Sequence, residues 1–142
     1  MLYIVLSPII FSEVGLLNIY KTKVFDRWAN GEGLANESLC DAVKEIKDGL
    51  YEADLGGGLF KKRIAKQGKG KSGGFRTLLA TNKDDKWFFI FGFPKTERSN
   101  INKVEKEALK KLATEYLSYS NVALNKAIKA KELTEVTCYE KN

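Results

Sequence analysis

The sequence predicts an α+β domain: helices first, then an antiparallel sheet, then helices again. Three observations predict it. Apolar residues recur with helical spacing before residue 50 and again after residue 102. Between them lie runs rich in aromatic and other apolar residues, bounded by glycines. A polar turn, Asn82-Lys83-Asp84-Asp85, separates two of those runs and makes them an antiparallel hairpin. At 142 residues the chain is one domain, long enough to fold without disulfides or a structural metal. A composition of 44% hydrophobic and 30% charged residues excludes disordered and collagen-like classes.

Residues 1–18 read as an apolar extension. Met1 to Phe11 is almost wholly apolar, but Pro8, Glu13 and Asn18 leave no unbroken run of about 18 apolar residues, so it is not a membrane span. No Lys or Arg precedes the run, which argues against a secretory signal. It is either an extra strand around Ile4 and Val5 or an extension with little part in the fold. Val24 to Asn30 is predicted as a short helix with Val24, Phe25 and Trp28 on one side, ended by Gly31 and Gly33. A second helix is predicted over Glu37 to Asp48, with Leu39, Val43, Ile46 and Leu50 as its apolar positions, a cap from Asn36 or Ser38, and Gly49 as its stop. Asp54 to Gly58 reads as a loop.

Strands are predicted over Leu59 to Ala65, Gly74 to Thr81 and Lys86 to Phe93. The run Trp87 to Phe91 is too continuous to be a solvent-facing platform for bases and is assigned to the core. A long helix over Asn102 to Ser118 opens with a capping signature, Asn102 with Glu105 three residues on. A short helix follows over about Val122 to Lys131. Residues 132–142 read as a polar, mobile tail.

Several chemistries are excluded or disfavoured. There is no histidine, which removes the usual general base at neutral pH and the commonest zinc ligand. The two cysteines, Cys40 and Cys138, cannot complete a zinc site and read as free thiols in a reducing compartment, Cys40 as a small core residue. No cofactor or metal is expected. Gly68 to Gly73 has the G-x-G-x-x-G spacing, but a strand and not a helix follows it. Gly70-Lys71-Ser72 likewise lacks the earlier glycine of a phosphate-binding loop, since Ala65 stands there.

Charge is concentrated in one place. Seven of the 24 basic side chains lie between Leu59 and Arg76 with no acid among them, leaving 17 against 18 acidic elsewhere. Such a patch suits a polyanion, nucleic acid first; its bland counterpart is a solvated surface. In a strand, Lys61 and Arg63 share a face while Lys62 and Ile64 point to the other. Arg76 on the next strand joins the first pair if register allows, and Lys95 and Arg98 follow the third strand. The competing reading pairs Arg76 and Arg98 with Glu97 or Asp54 as fold-fixing ion pairs.

Three segments in order, Leu59-Phe-Lys-Lys-Arg-Ile-Ala65, Gly68-Lys-Gly-Lys-Ser-Gly-Gly-Phe-Arg-Thr77 and Trp87 through Ile101, resemble RelE-type toxins of bacterial toxin–antitoxin modules. The long Gly-Lys-Ser-Gly-Gly-aromatic-Arg segment resembles a HigB-like branch. The resemblance spans about Ile19 to Tyr119. It implies a RelE-like fold, N-terminal helices on a small antiparallel sheet, in a toxin domain over residues 19–131. It implies an endoribonuclease that cuts mRNA on the ribosome, in the cytoplasm, held by a cognate antitoxin, which is expected to be a helix-turn-helix protein. By motif, the catalytic positions are Lys61, Arg63, Arg76, Lys95 and Arg98; the charge of the segment adds Lys62, Lys66, Lys69 and Lys71 as expected RNA contacts. Thr96 stands where the family has an arginine after the position of Lys95, and Asn102 stands near the place of a base-stacking tyrosine. Two other functions fit the same sequence: a ParE-like toxin that inhibits gyrase by contact, and a plain RNA-binding protein.

Overall fold

The structure, a computed structural model, describes residues 17–66, 70–83 and 85–139. Six strands and four helices run in the order β1 (Asn18–Thr22), α1 (Lys23–Glu32), α2 (Asn36–Lys47), β2 (Ala53–Gly56), β3 (Leu59–Lys66), β4 (Gly70–Thr81), β5 (Lys86–Pro94), α3 (Lys103–Leu117), α4 (Asn121–Lys129) and β6 (Leu133–Val136). They form an α+β domain around one sheet of order β2-β3-β4-β5-β1-β6. The sheet is mixed, not purely antiparallel, because β1 runs parallel to β5; every other neighbour is antiparallel.

Strand alternation sends side chains to two separate cores, one on each face. Phe60, Ile64, Phe75, Leu79, Trp87 and Phe89 meet α1 and α2. Leu59, Leu78, Ala80, Phe88, Ile90 and Phe93 meet α3 and α4. The aromatic run of β5 is therefore core, as its continuity predicts: Trp87, Phe88, Phe89 and Ile90 are all buried. Both faces of the sheet are covered, so strict alternation buries all four, and a bulge follows. Leu78 pairs with Phe91 and Leu79 with Phe89, so Ile90 is the extra residue. Beyond it the alternation is reset, and Phe91 and Phe93 lie on the α3 side. Gly92 then faces α1, where a Cβ would sit 2.3 Å from the Trp28 ring.

Helix ends explain the boundaries. Thr22 caps α1 by accepting from Phe25 N at 3.1 Å, and Gly33 stops it in the left-handed conformation. α2 starts after Ala35 with no side-chain cap, because Asn36 Oδ1 instead accepts from Lys21 Nζ at 2.9 Å. α3 carries the expected capping box between Asn102 and Glu105.

Four expectations are corrected. The segment 54–58 is a hairpin and not a loop: β2 pairs with β3 through a turn in which Gly56, Gly57 and Gly58 all have positive φ. The tail from 132 is ordered through Val136, since β6 has its own two buried residues, Leu133 and Val136, and pairs with β1. Residues 17 and 18 belong to the domain, Leu17 against the core and Asn18 opening β1; residues 1–16 lie outside the described residues. The cysteines are not free thiols: Cys40 and Cys138, 98 residues apart, form a disulfide, because β6 carries the chain back alongside α2. No helix among the described residues is long and apolar enough to cross a membrane.

Candidate nucleic-acid interface

Register decides which cations meet. Arg63 pairs with Arg76 across β3–β4, and Arg76 pairs with Phe93 across β4–β5. Paired residues share a face, so the three form one rung on the α3 side. The next rung is Lys61, Leu78 and Phe91. Lys61 and Arg63 thus project together with Arg76, as the i, i+2 spacing predicts. Lys95 extends the same ladder, its N–H donating to Gly74 O at 3.0 Å.

The loop after β5 closes over this rung. Arg98 stacks its guanidinium on Phe93, 5.1 Å from the ring centre. Arg98 Nε donates to Asn100 O at 3.0 Å, Lys61 Nζ to Asn100 Oδ1 at 3.1 Å, and Arg76 Nη1 to Ser99 O at 3.2 Å. Three of the five expected catalytic cations, Lys61, Arg76 and Arg98, therefore converge on one stretch of chain around Ser99 and Asn100, and Arg63 joins them through its rung with Arg76.

Two carboxylates balance them, neither of them the acids expected. Arg98 holds Glu105 with two bonds, and these, with the backbone N–H of Asn102, keep the Glu105 carboxyl below the usual carboxylate range. Glu52 sits between the other two arginines, its Oε2 2.9 Å from Arg76 Nη1 and 3.5 Å from Arg63 Nη2. Neither Glu97 nor Asp54 plays this part. The sequence reading misses Glu52 because no motif marks it. The triple glycine that follows is the available signal: it folds β2 back on β3, and Glu52 N then donates to Lys61 O at 2.8 Å.

Even so, the arginines are not saturated. Arg63 Nε and Arg76 Nε are buried and without a hydrogen-bond partner. A buried donor left so costs about 1–3 kcal/mol, and two on adjacent residues mark an acceptor-poor spot built from donors. Arginine offers phosphate a planar pair of N–H groups, and a rung of two arginines with a lysine beside it suits a phosphodiester.

The remaining cations divide. Lys62 is on the opposite face, buried, 2.5 Å from Glu45 and donating to Leu50 O at 2.9 Å; it does not join the interface. Alternation alone dictates this. Lys66 is exposed at the end of β3. Lys69 lies outside the described residues, as does the side chain of Lys71.

The profile of the family described as the RelE toxin of the RelE/RelB toxin–antitoxin system matches residues 17–136. A search of curated proteins finds no match. Its α+β fold is consistent with the RelE-like fold, and the chain belongs to the RelE toxin family. Membership makes it a toxin of a toxin–antitoxin system, with a cognate antitoxin as partner.

Proposed function

We propose that this toxin is a ribosome-dependent mRNA endoribonuclease of a HigB-like branch, acting in the cytoplasm and restrained by a helix-turn-helix antitoxin. The observation that carries the reading is the rung of Arg63 and Arg76, both with an unpartnered buried Nε, on the same face as Lys61. A contact inhibitor of gyrase has no use for donors held in reserve this way. Cleavage proceeds by attack of the 2′-hydroxyl on the adjacent phosphate, which restricts the substrate to RNA. Arg63, Arg76 and Arg98 stabilise the charge that grows on the phosphorane, and Lys61 and Lys95 stand nearby for proton transfer. Lys66, Lys69 and Lys71 draw in the RNA backbone.

The test is expression without antitoxin. Wild-type protein should arrest growth and translation, with cuts mapped to mRNA on ribosomes and poor cutting of naked RNA. Arg76→Ala should lower the rate by about 100-fold to 1000-fold, the usual loss for one well-aimed charge stabiliser, and should relieve the arrest. A folded Arg76→Ala protein of equal toxicity, or efficient sequence-specific cutting of free RNA, refutes the reading.

A further inference from the structure

We infer that Glu52 is the general base of this site, taking the proton from the attacking 2′-hydroxyl; the inference rests on the endoribonuclease reading above. Three groups of observations lead to it. First, the reaction needs a proton acceptor, and the cationic face offers few. The chain has no histidine, and an arginine keeps its proton at any working pH. Second, two carboxylates that pair with cations of this sheet are committed elsewhere. Glu105 is tied to Arg98 and to the N-cap of α3, and Glu45 lies on the far face with Lys62. Third, Glu52 touches both arginines of the central rung while its side chain remains 23% exposed, so a substrate can reach it.

The way the arginines hold Glu52 matters. The closest approach of both is to the same oxygen, Oε2, and both use a terminal nitrogen. Each Nε is left over. A phosphate arriving beside them offers oxygens for a planar, two-point grip by Nε and a terminal nitrogen together, which the single shared carboxylate oxygen does not provide. As the arginines turn to the phosphate they release Glu52 at the edge of the same phosphate. The carboxylate is then next to the 2′-oxygen that attacks it. Glu52 thus fills the arginines while the site is empty and becomes proton acceptor when it is occupied.

The step balances as follows. The O2′–P bond forms as the hydroxyl proton moves to a Glu52 oxygen. The P–O5′ bond breaks, and the leaving O5′ takes a proton from the Lys61 ammonium, giving a 2′,3′-cyclic phosphate and a 5′-hydroxyl. One proton enters at Glu52 and one leaves from Lys61; water then exchanges both.

The experiment is single-turnover cleavage of mRNA on programmed ribosomes at saturating toxin, measured across the acid-to-neutral range. Glu52→Gln keeps the shape and most of the hydrogen bonding. Its rate should fall by about 100-fold to 10,000-fold, the usual worth of a general base. The wild-type rate should drop on the acid side, and that limb should be missing in Glu52→Gln. Glu52→Asp, which keeps a carboxylate that can take the proton, should be less impaired than Glu52→Gln and should keep the acid limb, a feature that a merely charge-balancing role does not require. Binding of the folded Glu52→Gln protein to ribosomes should be unchanged or tighter. A folded Glu52→Gln protein that cuts at the wild-type rate, or one that is slowed but keeps the acid limb, overturns the inference while leaving the endoribonuclease reading intact. Wild-type protein that cuts nothing on the ribosome refutes the reading itself.

Discussion

Lys61, Lys62 and Arg63 are consecutive in the chain and end in three different surroundings: an asparagine of the β5–α3 loop, a buried ion pair under α2, and the Glu52 carboxylate. Chain proximity says little about shared function in a strand, where period two separates neighbours. Lys62→Ala should leave Glu45 and the Leu50 carbonyl without their donor and cost about 1–3 kcal/mol of stability. Cleavage per folded molecule should not change. Chemical denaturation alongside the ribosome assay checks both. A second prediction at this scale concerns pH. Tyr20, Phe88 and Tyr116 stack in series, and burial, with nearby acidic and phenolic groups, pushes both phenols above their ordinary value of 10.0. A raised value means that the folded state keeps its proton longer, so this contribution is fully present below pH 10.0 and lost as pH rises through the raised values. The thermal midpoint, followed by circular dichroism, should carry no loss from these groups up to pH 10.0 and should fall beyond it.

Among the elements, those with local signals are legible in the sequence and those made by distant pairing are not. Asn102 and Glu105 announce α3 by their spacing, and the structure has the box. Asn102→Ala should cost about 1 kcal/mol, read as a lowered denaturation midpoint, because the N–H of Glu105 loses its acceptor. The Asn82–Asp85 turn announces β4 and β5, and the aromatic run announces a core strand. By contrast β1 is five residues, NIYKT, with no strand pattern of its own; it is a strand because β5 and β6 flank it. β6 is four residues hidden in a polar tail for the same reason. The cationic half of the site is legible from charge and alternation. Glu52 is not, because its partners are set by the β2–β3 hairpin and by the register of β3 on β4. Gly92 is another case: in the sequence it interrupts an aromatic strand, and in the structure it makes room for Trp28. Gly92→Ala should force that ring aside and destabilise by about 1–3 kcal/mol, measurable by denaturant titration.

The whole domain is closed by the bond between Cys40 and Cys138. Cross-linking a loop of this length removes chain entropy from the unfolded state worth up to about 4–5 kcal/mol in the loop-closure account. Reductant should therefore lower the thermal midpoint of the wild-type protein. Cys138→Ser should start from the lower value and ignore reductant. In a reducing compartment the ring is open, and the fold stands on its sheet and two cores alone. The cationic face is far from neutral even after its ion pairs, so ribosome and RNA binding should weaken as salt rises.

The place of β1 in the sheet also bears on how fast the molecule can assemble. β3, β4 and β5 follow one another as a meander whose contacts are close in sequence, whereas β1 must find β5 from far upstream: Asn18 bonds Asp85, 67 residues away. Loop closure of that length is slow to be rewarded, so the meander forms early and β1 and β6 arrive late. Until they do, β5 presents Trp87 to Phe89 along an unpaired edge. A half-built sheet with that edge open is the form expected to aggregate, and a chain cut back to remove β1 should aggregate more readily than the full chain, as light scattering during refolding would show.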